Sequence, residues 1–189
     1  MELRLRASEK ASVRILRSFL GLLWFSAWFF VAFPAALLWL RGIPWLPEPG
    51  LARSLGFAIA GIALAGVVVE SLRLALRGRG TPLPFDPPTQ LVAEGPYLYV
   101  RNPMYLLYVG IAVGESIAYR SAWLAGYAAF FFGLVHLYVV KLEEPRLHER
   151  FGESYADYCQ RVSRWLPRRS LPLDVRESVS TTRNSRGTL

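Results

Sequence analysis

Between Arg17 and Arg41 the chain runs for 23 residues, SFLGLLWFSAWFFVAFPAALLWL, without one charge. A bilayer asks for about 20 apolar residues per helical span. A cleaved secretion signal would have an apolar core of about 7–15 residues and a small-x-small exit. This run is longer and lacks that exit, so it predicts an uncleaved first span. Pro34 should kink it, because proline has no N–H to contribute.

Three further segments repeat the signal. Sixteen uncharged residues separate Arg53 from Glu70, and apolar character continues to Leu76, predicting a second span over 51–76. Its small residues (Gly56, Ala60, Gly61, Ala63, Ala65 and Gly66) would let another helix approach closely. Residues 121–140 form a clean run of 20, and 103–119 is apolar except for Glu115. These two are expected to form a hairpin turning near Tyr119–Ser121. The fold expected is all-α, a polytopic membrane bundle of about four transmembrane helices.

The chain is 53% apolar and 19% charged, with 22 Lys+Arg against 14 Asp+Glu. That balance excludes a disordered chain, and the single cysteine, Cys159, excludes a disulfide scaffold. If the N-terminus is cytoplasmic, 19 of the 22 cations lie on the inner side, and only Arg41, Arg53 and Arg120 lie outside. The positive-inside rule therefore puts both termini in the cytoplasm, as in a bacterial inner membrane. The net charge of +8 is then a topology signal, and no nucleic-acid partner is expected. Residues 1–17 read as a basic cytoplasmic segment, 18–80 as two spans, 81–168 as the functional core and 169–189 as a disordered tail.

Two cytoplasmic segments are too specific to be connectors. The first follows the proline-rich TPLPFDPP and reads TQLVAEGPYLYVRNPMY, from Thr89 to Tyr105. Pro103 suits a first helical turn, which makes Asn102 a natural N-cap. A helix N-terminus suits an anionic group, and Arg101 beside it could add a fork of donors. Equally, Arg101 fits a snorkelling cation, and Tyr97, Tyr99 and Tyr105 an aromatic belt. The second segment is HLYVVKLEEPRLHERFGESY, from His136 to Tyr155. Leu147, Phe151, Tyr155, Tyr158 and Val162 recur at helical spacing, which predicts a C-terminal amphipathic cytoplasmic helix. His136 and Glu143 are seven residues apart, and so share one helix face about 10 Å apart; the same arithmetic joins Tyr108 to Glu115. Ionisable groups at membrane depth usually face a cavity and a partner. For His136 and Glu115 a plain interhelical hydrogen bond accounts for them as well. The two histidines, twelve apart with no paired cysteine, do not make a zinc site, and there is no glycine-rich phosphate loop.

Taken in order, Thr89–Tyr105, then E-E-P-x-L-x-x-x-F-G-x-x-Y from Glu143, then RVSRWLP from Arg161, closely resemble one superfamily. It is that of the isoprenylcysteine carboxyl methyltransferases and phospholipid methyltransferases, whose signature runs R-H-P-x-Y-x-G, E-E-x-x-L with F-G-x-x-Y, and R-V-P-R-x-x-P. The resemblance covers about residues 82–168. It implies a polytopic membrane methyltransferase using S-adenosylmethionine, with a cofactor pocket at the cytoplasmic face closed by the C-terminal helix. It further implies that Thr89, Gln90, Leu91, Val92, Tyr97, Asn102, Pro103, Met104, Tyr105 and Glu143 line the cofactor, and that Arg101, Glu143 and Glu144 carry the chemistry. Tyr108, Glu115, His136 and Val139 are candidates for a substrate pocket.

The departures are specific. Asn102 replaces the usual His, Leu107 the usual Gly, and Ser163 the usual Pro. Val139 stands where the isoprenylcysteine enzymes carry a substrate-handling arginine, so a prenylcysteine carboxylate would lose that counter-charge. The expected acceptor is a lipid-like or small molecule reached from the membrane, with no specific protein partner. A carboxylate or thiolate acceptor needs no strong base. For an amine, Glu143, Glu144 or Glu115 is the candidate. The alternatives are a membrane reductase using NADPH and a non-catalytic membrane scaffold on the same fold.

Overall fold

The computed structural model describes residues 16, 20, 21, 23–77, 91 and 93–167. Helix α1 runs Leu23–Leu40, α2 Leu51–Arg77, α3 Pro103–Ala118, α4 Ala122–Phe151 and α5 Glu153–Arg161. A 3-10 turn, Gly95–Leu98, leads into α3. Three of these helices, α1, α2 and α4, are long and apolar enough to cross a membrane. The fourth arm, α3, has 16 residues and spans about 24 Å, short of the roughly 30 Å hydrocarbon core. Large apolar side chains such as Trp24, Val31, Trp39 and Ile62 are exposed along the outside, a surface that suits lipid. The architecture is a helical membrane bundle.

The expected hairpin is present, with α3 ending at Tyr119 and Ser121 capping α4 by accepting from the Leu124 N–H. The tightest packing joins α2 to α3. A Cβ built on Gly114 would stand 2.6 Å from the Gly56 carbonyl oxygen and 2.7 Å from the Ala60 nitrogen. One on Gly56 would overlap the Ala118 backbone. The small-residue stripe therefore does what its spacing foretold, at Gly56, Ala60, Ala63 and Gly66; Gly61 has open space around it. Leu107, the residue in place of the family's glycine, packs into the gap at Gly66.

Two helices contain π-helical turns, at Trp28–Ala32 in α1 and Val139–Glu143 in α4. Each ends two residues before a proline, Pro34 and Pro145. Proline lacks an N–H and crowds the carbonyl four residues back, and widening the turn relieves that conflict. In α1 the Phe29 carbonyl would meet Pro34, which cannot donate; the Tyr127 hydroxyl of α4 donates to it instead, at 2.8 Å. A π-turn precedes Pro34, and the freed carbonyl ties α1 to α4. Phe30 stacks on Tyr108 of α3 with centroids 5.5 Å apart, and Phe131 of α4 meets Phe30 edge-on at 5.5 Å.

The amphipathic stripe from Leu147 to Val162 is one continuous apolar face on two helices. The chain breaks at Gly152, with φ +55, a conformation that favours glycine. Tyr155, Tyr158 and Val162 are buried there, with Leu147 and Phe151 packed against them.

Candidate functional site

The charged end of the bundle gathers the end of α2, the Gly95–Leu98 turn, the start of α3, the end of α4 and the segment after α5. Asn102 holds the N-cap position of α3, but its side chain does not cap; Nδ2 donates to the Arg164 carbonyl at 3.3 Å. Beside it the Arg101 N–H donates to the Ser163 carbonyl at 2.8 Å, and Val100 pairs with Ser163 as a parallel bridge. The segment after α5 thus lies alongside the loop that enters α3.

One carboxylate locks this crossing. Glu144 accepts two parallel hydrogen bonds from Arg164, at 2.8 and 2.7 Å, and its Oε1 stands 3.0 Å from Arg101 Nη1. Fork-on-carboxylate geometry of this kind is directional as well as strong. The Glu144 contact also holds the Arg164 guanidinium above its usual range. Arg101 further donates from Nη1 to the Cys159 sulfur at 2.8 Å. Arg101 is therefore not the free fork expected from its place beside the helix start. Its pairing with Glu144 restrains two of the three residues expected to carry the chemistry.

Glu143, one residue earlier, faces elsewhere. It accepts from the Tyr105 hydroxyl of α3 at 2.7 Å, with the Tyr138 ring 6.4 Å from that of Tyr105. The π-turn Val139–Glu143 lies between Glu143 and His136, so the uniform helical phase that the seven-residue spacing assumed does not hold there. His136 Nδ1 accepts from Trp165 Nε1 at 3.0 Å, a hydrogen bond to the segment after α5 and not to another helix. Tyr97 closes the group from above: its carbonyl accepts from the Tyr158 hydroxyl at 2.7 Å. Burial and the nearby Glu70 and Glu143 carboxylates push its phenol far above the usual range.

Of the expected cofactor-lining residues, the structure brings Tyr97, Asn102, Pro103, Met104, Tyr105 and Glu143 to this end, with Leu91 packed against the α5 cluster. Thr89, Gln90 and Val92 lie outside the described residues. The pocket candidates are dispersed. Tyr108 is buried among Phe25 and Phe30, and Val139 is fully buried in the apolar core. Glu115 lies about 20 Å along α3 from Asn102, with Oε2 buried and no hydrogen-bond partner among the described residues.

Three residues at the site were not singled out by sequence reasoning. Glu70 and Ser71 are buried near the end of α2, and Arg73 lies against the Gly95 turn. Their signal was a carboxylate inside an apolar run, which had served only to mark where the uncharged stretch ends. Among the described residues no three His, Cys, Asp or Glu side chains are grouped to hold a metal ion.

Comparison with known proteins gives two matches. The family model described as phospholipid methyltransferase matches residues 53–154, a little over half of the chain. The nickel-cobalt-cadmium resistance protein NccN of Alcaligenes xylosoxydans xylosoxydans is 38% identical over 84 residues. That match covers 44% of this chain and 38% of NccN, so the chain spans well under two thirds of that relative. No solved structure matches.

Proposed function

We propose that this chain, which belongs to the phospholipid methyltransferase family, transfers a methyl group from S-adenosylmethionine to a lipophilic or small-molecule acceptor. The observation that carries the proposal is the family match itself, because residues 53–154 include the whole Tyr97–Tyr105–Glu143 group and Glu144. The residues also fit the donor chemically. Glu143 with Tyr97, Tyr105 and Tyr138 offers negative charge and aromatic faces, which suit a sulfonium. Buried polar atoms without hydrogen bonds among the described residues, at Glu70, Ser71, Arg73 and Arg101, suit a ligand rich in donors and acceptors.

S-adenosylmethionine, when bound, supplies an electrophilic methyl group. The protein's part is alignment and exclusion of water, since the transfer is an in-line displacement. Tyr105 orients the Glu143 carboxylate, and the Glu144–Arg101–Arg164 group fixes the segment after α5 across the loop. For an amine acceptor, Glu143 is the proton acceptor favoured by this arrangement, because Glu144 is already held by two arginines. Acceptors would enter from lipid between the helices, with both termini cytoplasmic as the distribution of cations supports.

Calorimetry of the detergent-solubilised protein tests the donor. S-adenosylhomocysteine should bind and NADPH should not. Absence of S-adenosylhomocysteine binding at millimolar concentration refutes the proposal, and preference for NADPH would favour a reductase.

A further inference from the structure

Near the end of α2 stand three polar side chains to which no part of the ligand has yet been assigned. Glu70 and Ser71 are only 4% and 3% exposed, yet Glu70 Oε2 and Ser71 Oγ have no hydrogen-bond partner among the described residues. Glu70 Oε1 lies 3.3 Å from Arg73 Nη1, and that nitrogen likewise makes no hydrogen bond among the described residues. Buried polar groups in proteins are almost always satisfied, so three adjacent exceptions point to a ligand.

The surroundings define what kind. Arg73 presses against Gly95, where φ is +58 and an added Cβ would overlap the guanidinium. The turn thus holds Arg73 close to Tyr97, which neighbours both Glu70 and Glu143. Arg101 is paired through Nη1 with Glu144, as is Arg164, with Arg101 Nε left without a hydrogen bond among the described residues. A simple anion at Arg73 would meet the Glu70 charge, and a simple cation at Glu70 would meet Arg73. A zwitterion satisfies both.

We propose that Glu70, Ser71 and Arg73 form a subsite for an α-amino carboxylate, the methionyl end of the methyl donor, with Glu70 accepting from its ammonium and Arg73 and Ser71 donating to its carboxylate. This rests on the donor proposed above. The carboxylate is thereby assigned to α2 in place of Arg101 and the α3 N-terminus. Tyr97, which the Glu70, Glu143 and Arg73 charges all influence, would then lie between this amino-acid end and the Tyr105–Glu143 pair.

The test compares two nucleosides by calorimetry on the full chain in detergent. S-adenosylhomocysteine carries the amino-acid end, and 5′-methylthioadenosine lacks it. Arg73→Gln and Glu70→Gln should each weaken S-adenosylhomocysteine about ten- to a hundredfold and leave methylthioadenosine within about twofold. Ser71→Ala, which removes one hydroxyl with little risk to folding, should weaken only the former, by a few-fold. Equal loss of both ligands, or unchanged preference for S-adenosylhomocysteine in all three variants, overturns the subsite. If the unsubstituted protein binds neither nucleoside, the donor assignment itself falls.

Discussion

Replacing Glu144 with Gln removes one charge and little volume, and its cost follows from what the carboxylate holds. Arg101 and Glu144 side chains are each only 13% exposed, so this arm is mostly withdrawn from water. Stranding one member of a buried pair costs about 3–5 kcal/mol. The residual exposure and the Cys159 contact place this loss near the low end, about 3 kcal/mol. Arg164 is 30% exposed, and a pair with that much water contributes only about 0.2–1 kcal/mol. Glu144→Gln should therefore lower the melting temperature in detergent by roughly 6–12 °C on the scale of soluble chains of this size, and Arg164→Ala by no more than about 4 °C. A double-mutant cycle should find a larger coupling for Arg101–Glu144 than for Arg164–Glu144. Equal couplings, or a Glu144→Gln protein that melts unchanged, would refute the argument that burial decides which arm matters.

Gly114→Leu should abolish a stable bundle, because even a Cβ there stands 2.6 Å from a backbone oxygen of α2; loss of a monodisperse peak on size exclusion would show it. Tyr105→Phe removes the hydroxyl that orients Glu143 and should lower methyl transfer about tenfold, and leaving that carboxylate without its donor should cost about 1–3 kcal/mol in thermal unfolding. Trp165→Phe breaks the bond to His136 and should cost about 1 kcal/mol in thermal unfolding.

Much of the bundle was legible in the sequence because uncharged length is a direct bilayer signal. The small residues of α2 forecast its close contact with α3, and Asn102–Pro103 marked where α3 begins. The side-chain partners were not legible. Seven-residue spacing put His136 and Glu143 on one face, but it assumes uniform helix, and the widened turn before Pro145 changes the phase. Arg101 looked available because its partner Glu144 lies 43 residues away and converges on it only through folding. Glu70 was hidden for a related reason: a lone acid in an apolar run gives no hint of which loop will cover it.

Incubating membranes that contain the protein with methyl-labelled S-adenosylmethionine tests the central claim most directly. Label should enter the lipid or small-molecule extract in proportion to the protein, and Glu143→Ala should reduce it at least tenfold. Label in the extract no greater than from membranes lacking the protein would contradict the account.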